Sequence, residues 1–219
     1  MSGCMKKYYW ICVVLVLFAV QVHAADSVLR KGSGRSLKGE VISQNPNKVV
    51  VQTRLGIDEE VPVNEIKSIR FDIEPDSLVA ARNKFVSRDY KEALNALSDA
   101  DIDDIERALV RQDAEYLRAC STARLALGGI GSAGKAVKLV QQFLKDYPQS
   151  YHDYEANELL GDLAIALGRP EKADAYYQKA EAPWPESKMR LSLSRGRGFA
   201  AQNNYEKAIE SYQKILDSS

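Results

Sequence analysis

Few residues in this chain of 219 could carry out chemistry. Its histidines are His23 and His152, and its cysteines are Cys4, Cys12 and Cys120. Nucleophilic catalysis pairs a nucleophile with a base, and a zinc site needs at least three protein ligands. No spacing among these residues is typical of either site. The sequence therefore predicts no catalytic residue, no metal site and no cofactor, and we expect a protein that is not an enzyme.

Two other stretches contain residue types that could bind an ion. Five acids lie between Asp99 and Glu106, but the central glycine and the closing glutamate of a calcium loop are missing. The glycine-rich stretch Gly128–Gly134 lacks the lysine and serine of a phosphate loop. We interpret the first as a solvated linker whose acids favour the start of a helix near Ile102. The second is interpreted as a turn between two helices.

The first 24 residues have the pattern of a secretory signal peptide. Lys6 and Lys7 form a positive leader, and an apolar run of 11 residues extends from Trp10 to Val20. We predict cleavage after Ala24 and an extracytoplasmic location, periplasmic or secreted, with no membrane span in the cleaved chain. The alternative is an uncleaved N-terminal anchor, although a membrane-spanning helix needs about 20 apolar residues.

Cleavage would also remove most of the residues that could do chemistry. Cys4, Cys12 and His23 would be lost, and Cys120 would have no partner for a disulfide within the chain. Cys120 lies in a helical pattern, so we predict that it packs as a small buried hydrophobe. His152 lies at the start of a predicted helix, and we interpret it as a surface or capping residue.

The composition is that of a folded, soluble protein, with 45% apolar and 27% charged residues. Its length allows one ordinary domain or two small ones. The 30 basic and 30 acidic residues balance, and the loss of Lys6 and Lys7 would leave a net charge of −2. Such a chain has no general attraction to a polyanion, so we expect no nucleic acid partner.

Residues 25–74 are predicted to form a small β module. Lys48–Thr53 (KVVVQT) is the run richest in β-branched residues, and it follows a turn at Asn45–Asn47. Pro62 suggests that the next run is an edge strand. Alternating apolar residues between Ile66 and Ile73 complete four or five strands of a closed or half-closed antiparallel sheet.

This β pattern resembles the small Sm-like and SH3-like barrels. Sm-like barrels often assemble into rings that bind RNA, but the signal peptide and the mixed charge argue against carrying that function over. We instead expect the module to anchor, oligomerise or cap the rest of the chain.

From residue 75 onward, helical periodicity replaces the β pattern and a phrase recurs. Each clear copy has a glycine, an alanine 12 residues later and a tyrosine four residues after that. The two copies are Gly161–Ala173–Tyr177 and Gly196–Ala208–Tyr212. Less regular copies place their alanines at Ala93 and Ala136, so the successive spacings of the alanines are 43, 37 and 35 residues.

These phrases resemble the tetratricopeptide repeat family, whose unit of about 34 residues is a pair of antiparallel helices. The resemblance implies a mainly α protein, with an α–α superhelix of about 3.5 to 4 hairpins over residues 75–219. It also implies that small residues meet where paired helices touch, Gly161 against Ala173 and Gly196 against Ala208. The alternative is a generic helical bundle. The hairpins are predicted near Ser77–Ala100, Ile102–Tyr147, Tyr151–Glu181 and Glu186–Asp217.

In this family the first helix of each pair lines a concave groove that holds peptide segments. The candidate groove residues implied by the resemblance are Glu155, Glu158, Asp162, Arg190, Leu193 and Arg197. An acidic patch beside a basic one would suit a partner of mixed charge, and the alternative is ordinary solvated helix surface. On the last helix, Ile209, Tyr212 and Ile215 are predicted to face outward as a docking edge for a partner or a second copy.

The sequence therefore predicts an exported scaffold of the bacterial envelope that binds a protein partner through its repeats. The alternative is an accessory subunit that binds a glycan or another polymer through the β module. Exposed aromatic residues on the sheet would favour that alternative, and Phe71 is the only aromatic residue in this part of the chain.

Overall fold

A computed structural model describes residues 25–216 of the chain. The predicted signal peptide lies outside the described residues. The N-terminal part is one antiparallel sheet with the strand order β4-β3-β2-β1-β5. The strands are β1 (Asp26–Arg30), β2 (Ser36–Gln44), β3 (Lys48–Thr53), β4 (Asp58–Pro62) and β5 (Ile66–Arg70), and a 3-10 turn, Val63–Glu65, joins the last two.

Alternating valines and isoleucines give this sheet its buried face. Val28 of β1 lies opposite Ile69 of β5, and Val49 of β3 lies opposite Val61 of β4. All four side chains are at most 1% exposed. The strand that contains Pro62 lies at one edge of the sheet, as predicted, because proline cannot donate a ladder hydrogen bond to a further strand.

Eight helices follow within the described part of the chain, and consecutive helices pair as four hairpins. They are α1 (Asp76–Val86), α2 (Tyr90–Ser98), α3 (Ala108–Leu127), α4 (Ala133–Asp146), α5 (Asp153–Ala166), α6 (Pro170–Lys179), α7 (Pro185–Ala201) and α8 (Tyr205–Leu216). The mainly α fold class with an N-terminal antiparallel sheet is confirmed.

The acidic stretch before α3 differs from the prediction. The helix begins at Ala108 rather than near Ile102. Ile102 and Ile105 are buried at 6% and 8% exposure in the irregular segment that precedes it. Both side chains belong to the core. The segment before α3 therefore packs along the core and does not extend α3 toward its N-terminus.

The four hairpin turns share one geometry. Each contains a residue with positive φ, and each has a hydrogen bond from the third residue after the first helix to a carbonyl five positions earlier, as in a Schellman cap. The positive-φ residues are Arg88, Gly129, Gly168 and Asn203. The bonds are 2.9 Å long and join the N–H groups of Asp89, Ile130, Arg169 and Asn204 to the carbonyls of Lys84, Leu125, Ala164 and Phe199.

The glycines of the repeats make room for aromatic rings. A Cβ atom on Gly161 would overlap the ring of Tyr177, and one on Gly196 would overlap the ring of Tyr212. The expected contact of glycine with alanine is therefore a contact of glycine with a tyrosine from the second helix. Tyr177 is 1% exposed, and its hydroxyl donates to Asp162 Oδ1 at 2.9 Å.

Two apolar cores run through the molecule. The larger one joins the inner face of the sheet to α1–α5, and the smaller one lies among α5, α6 and α7. Because the sheet and the first five helices share a core, the β module is packed against the helices rather than tethered to them.

Candidate functional site

One carboxylate fixes the β module to the helices. The Arg107 guanidinium, directly before α3, donates two hydrogen bonds to Asp26 of β1 at 2.7 and 2.6 Å. Asp26 is 1% exposed and also accepts from the backbone N–H groups of Val41 and Asp72 at 2.7 and 2.8 Å. Each carboxylate oxygen therefore accepts one guanidinium and one backbone donor.

A second buried ionic group lies where α1 meets α3. Arg82 donates to Glu74 at 2.9 and 2.7 Å and to Asp113 at 3.1 and 2.6 Å. Burial is the largest single influence on the pKa of Asp113 and raises it, but the charges and hydrogen bonds of Arg82 and His152 together outweigh burial and lower that pKa to about 2. Asp113 is therefore charged at neutral pH and acts as a structural counter-ion.

His152 extends this network. Its ring stacks on Tyr116 with centroids 3.4 Å apart, and its Nε2 lies 3.6 Å from Asp113 Oδ1. Tyr151 donates to the same Asp113 oxygen at 3.2 Å. His152 occupies the N-cap position of α5, one of the two predicted roles, but its side chain is 13% exposed and packs inward rather than on the surface.

Three further polar contacts connect the sheet to the helices. The Gln44 amide donates to Gln112 at 2.8 Å. The Tyr154 hydroxyl donates to Asn47 at 3.0 Å, and the Asn64 amide donates to Glu186 at 2.7 Å. These contacts reach α3, α5 and α7, so the β module lies against the first helices of several hairpins.

A cavity of about 730 Å³ lies between the β module and the helices, and we call it the inter-module cleft. One wall is β5 with the 3-10 turn before it, and the other is formed by residues of α1, α3, α5 and α7. This volume is within the range of small-ligand pockets. All four hairpins and the sheet therefore contribute to one space.

Aromatic and charged side chains line the inter-module cleft. The aromatic side chains are Phe85, Tyr90, Tyr116, Tyr151, Tyr154 and Trp184. Tyr154 and Trp184 meet edge to face with centroids 5.9 Å apart, as do Phe85 and Tyr90 at 5.5 Å. The lining contains six lysines and arginines but only three aspartates and glutamates, so its charge is positive.

The predicted groove residues lie on α5 and α7, and the structure brings most of them together as ion pairs. Arg190 Nε lies 2.6 Å from Glu158, and Arg197 Nη2 lies 3.8 Å from Asp162. Burial raises the pKa of Glu158, and the charge of Arg190 opposes that shift. The two patches thus face each other across α5 and α7.

The remaining members of that set differ in position. Glu155 lies 3.7 Å from Arg124 of α3 and, like Arg190, lines the inter-module cleft. Leu193 is 44% exposed on α7 and does not line the cleft. The role of these six residues in binding stays a prediction.

The predicted docking edge on α8 is only partly oriented as expected. Ile209 is 55% exposed. Tyr212 does not face outward, because Gly196 leaves space for its ring against α7. Ile215 is partly exposed. Docking at this edge stays a prediction.

A second, larger cleft of about 1240 Å³ lies on another side of the same junction. Its lining includes the acids of the predicted linker, Asp101, Asp104 and Glu106, together with Glu40 and Asp72. It has no aromatic side chain in its lining. Among residues 25–216, no group of three or more histidine, cysteine or acidic residues is placed to hold a metal ion.

Cys120 is fully buried in α3, as predicted. Burial raises the pKa of its thiol to about 12, so the thiol stays protonated at neutral pH. Within residues 25–216 no helix has both the length and the apolar character needed to cross a membrane.

Sequence reasoning missed Arg82, Asp113 and the inter-module cleft. One signal was present: Asp113 lies between Val110, Ala114 and Leu117 on an apolar helix face, where an acid needs a buried partner. Its partner Arg82 is 31 residues away, and no local pattern connects the two.

Comparison with known proteins supports the repeat assignment for the middle of the chain. Residues 125–188 match the tetratricopeptide repeat family. The match includes the whole of α4, α5 and α6. No curated protein matches the chain. The helical part is thus a repeat region similar to tetratricopeptide repeats, a kind of structure that generally mediates contacts between proteins.

Proposed function

We propose that this chain is an exported scaffold of the bacterial envelope that holds a segment of a partner protein in the inter-module cleft. The observation that carries the proposal is the cleft itself, because the sheet and all four hairpins build its walls. A site to which every structural unit contributes is a site for which the whole fold is needed.

The lining of the cleft suits a peptide better than a small polar metabolite. Tyrosine and tryptophan offer large apolar rings with a polar tip, and they are enriched where proteins bind one another. The larger acidic cleft has no such rings and is formed mostly by connecting segments. We therefore place recognition in the inter-module cleft.

The buried ionisable groups support a scaffold that has no catalytic activity of its own. Asp113 is paired with Arg82, and Asp26 is paired with Arg107. A general acid or base must exchange its proton near neutral pH, whereas the lowered pKa of Asp113 and the raised pKa of Cys120 place both groups far from that range.

Photo-crosslinking tests the binding site. Val86 lines the cleft and is 54% exposed, whereas Ile130 is 61% exposed in the α3–α4 turn outside it. With p-benzoylphenylalanine at Val86, we expect irradiation of cells to link the chain to a specific protein that then binds the purified chain. The same label at Ile130 should not form that product. Identical products from both positions would overturn the proposed site.

Export is tested separately. We expect the full chain with a C-terminal tag to accumulate outside the cytoplasm of a bacterial host and to begin at Ala25 by N-terminal sequencing. A full-length product in the cytoplasm would overturn the export proposal. A full-length product outside the cytoplasm would favour the uncleaved anchor.

A further inference from the structure

Three cations of the inter-module cleft form no salt bridge, although Lys31 acts on Glu186 at longer range and helps to lower the pKa of that carboxyl. Lys31, Lys67 and Arg88 line the cleft and are exposed. No acidic group in the part of the chain that the structure describes lies within 4 Å of their charged atoms. The other three cations of the lining are all paired: Arg82 with Glu74 and Asp113, Arg124 with Glu155, and Arg190 with Glu158.

Arg88 is in an unfavourable backbone conformation. Its φ is +61°, a region in which a side chain with a Cβ atom costs free energy. The corresponding turn positions of the next three hairpins are Gly129, Gly168 and Asn203, which tolerate this region. The long cationic side chain therefore stands where a glycine would fold better.

The sheet edge beside these cations suits an extended ligand. β5 is the outermost strand of the sheet and pairs with β1 on one side. Residues 66–69 of β5 line the cleft. An outer strand has backbone donors and acceptors on its second edge, and extended peptides bind to such edges.

We propose that the inter-module cleft binds an extended peptide segment of a partner protein that carries acidic side chains beside a large apolar side chain. The acids pair with Lys31, Lys67 and Arg88, and the apolar side chain packs on the aromatic rings. This inference rests on the proposed function and specifies the chemistry of its partner.

Two features favour an acidic protein segment over other polyanions. The cations lie in a cleft between two modules and not on an open face. A membrane surface or a nucleic acid duplex could not enter such a cleft. The acidic cleft on another side of the junction would also repel a long polyanion.

Selection from a displayed library of random peptides tests this proposal with the purified protein. We expect the enriched peptides to be net negative and to contain an aromatic or large aliphatic residue. The strongest peptide, labelled with a fluorophore, should bind more weakly as salt is raised. No enrichment, or enrichment of neutral or basic peptides, would overturn the proposal.

Three variants assign that binding to the cleft. Lys67→Glu should weaken it by about tenfold or more, because it places an acid against an acid. Arg88→Gly should weaken binding while raising the melting temperature, which damage to the fold cannot do. Lys138→Glu, an exposed lysine on α4 outside the cleft, should leave binding within about twofold.

Equal affinity of the Lys67→Glu variant and the unmodified protein would overturn the proposal. So would binding to phosphatidylglycerol vesicles or single-stranded RNA that Lys67→Glu abolishes. If Val86 crosslinks a partner but these tests fail, the scaffold function stands and only the acidic chemistry of the ligand falls.

Discussion

The first and last parts of the molecule are held together by different means. Around the sheet and α1–α5 one continuous core contains buried ions, with Arg82, Asp113 and Asp26 each at most 6% exposed. The last two hairpins have a smaller core, and within each of them a tyrosine ring of the second helix lies on a glycine of the first. The larger core fixes two unlike modules to each other, and the smaller one stacks like units.

The difference explains where the repeat is irregular. A ring that lies on a glycine needs a fixed spacing along the chain, and the last two alanines are 35 residues apart. The first hairpins pack against the sheet, and Arg107 before α3 binds β1. The segment between α2 and α3 is shaped by that contact, which accounts for the longest spacing, 43 residues from Ala93 to Ala136.

Removal of Arg82 tests the ionic half of this comparison and should have the largest effect. Arg82→Met leaves the carboxylates of Glu74 and Asp113 buried without their cation. We expect the free energy of unfolding to fall by about 3–5 kcal/mol, measured by urea unfolding followed by circular dichroism. Lys84→Met, in the same helix at an exposed ion pair of 3.8 Å, should cost about 0–1 kcal/mol. If both variants lost the same free energy of unfolding, the buried ion group around Arg82 would contribute no more than an exposed ion pair.

The packing of tyrosine rings on glycines is tested by adding a methyl group at the glycine. Gly161→Ala places a methyl group in the ring of Tyr177, and we expect it to lower the free energy of unfolding by about 1–3 kcal/mol. Gly196→Ala should cost less, because Tyr212 is partly exposed on the last described helix and its ring can move.

Gly134→Ala is the control for this test. Gly134 lies in α4 with no close neighbour except a serine hydroxyl at 3.7 Å. Alanine there should stabilise the helix by about 0.5–1 kcal/mol. The free energies of unfolding of the three variants are measured by chemical denaturation. If Gly161→Ala stabilised the protein as Gly134→Ala does, Gly161 would not be needed to make room for the Tyr177 ring.

The pH dependence of stability distinguishes the buried ion group from the tyrosine packing. The folded pKa of Asp113 is about 2, below its ordinary value of 3.8. The stability due to this carboxylate is thus present above about pH 4 and is lost as the pH falls toward 2, because the unfolded chain takes up a proton first. In the Asp113→Asn variant the free energy of unfolding should depend less steeply on pH in that window, by up to about 1.4 kcal/mol per pH unit. The Tyr177→Phe variant should keep the original slope.

The sequence was informative where structure is local and periodic. Pro62 marked an edge strand, and the spacing from Gly161 to Tyr177 marked a hairpin, because proline chemistry and helical periodicity act over short distances. The contacts of Asp26 with Arg107 and of Asp113 with Arg82 span 81 and 31 residues. They depend on how the sheet sits on the helices, which no local pattern specifies, so the cleft could not be found from the sequence.

The hairpin turns offer the smallest effect and a direct comparison of the two halves. Arg88 and Gly168 occupy equivalent turn positions with φ of +61° and +68°. Arg88→Gly relieves about 1–2 kcal/mol of backbone strain but adds about 0.4–1 kcal/mol of unfolded-state entropy, so we expect a net gain near 0.5–1 kcal/mol. Gly168→Ala should show the opposite sign, with a loss of about 1 kcal/mol in thermal or urea unfolding. If Arg88→Gly instead destabilised the protein, the arginine would be a structural member of its turn, and its place in the turn would no longer indicate a role in binding.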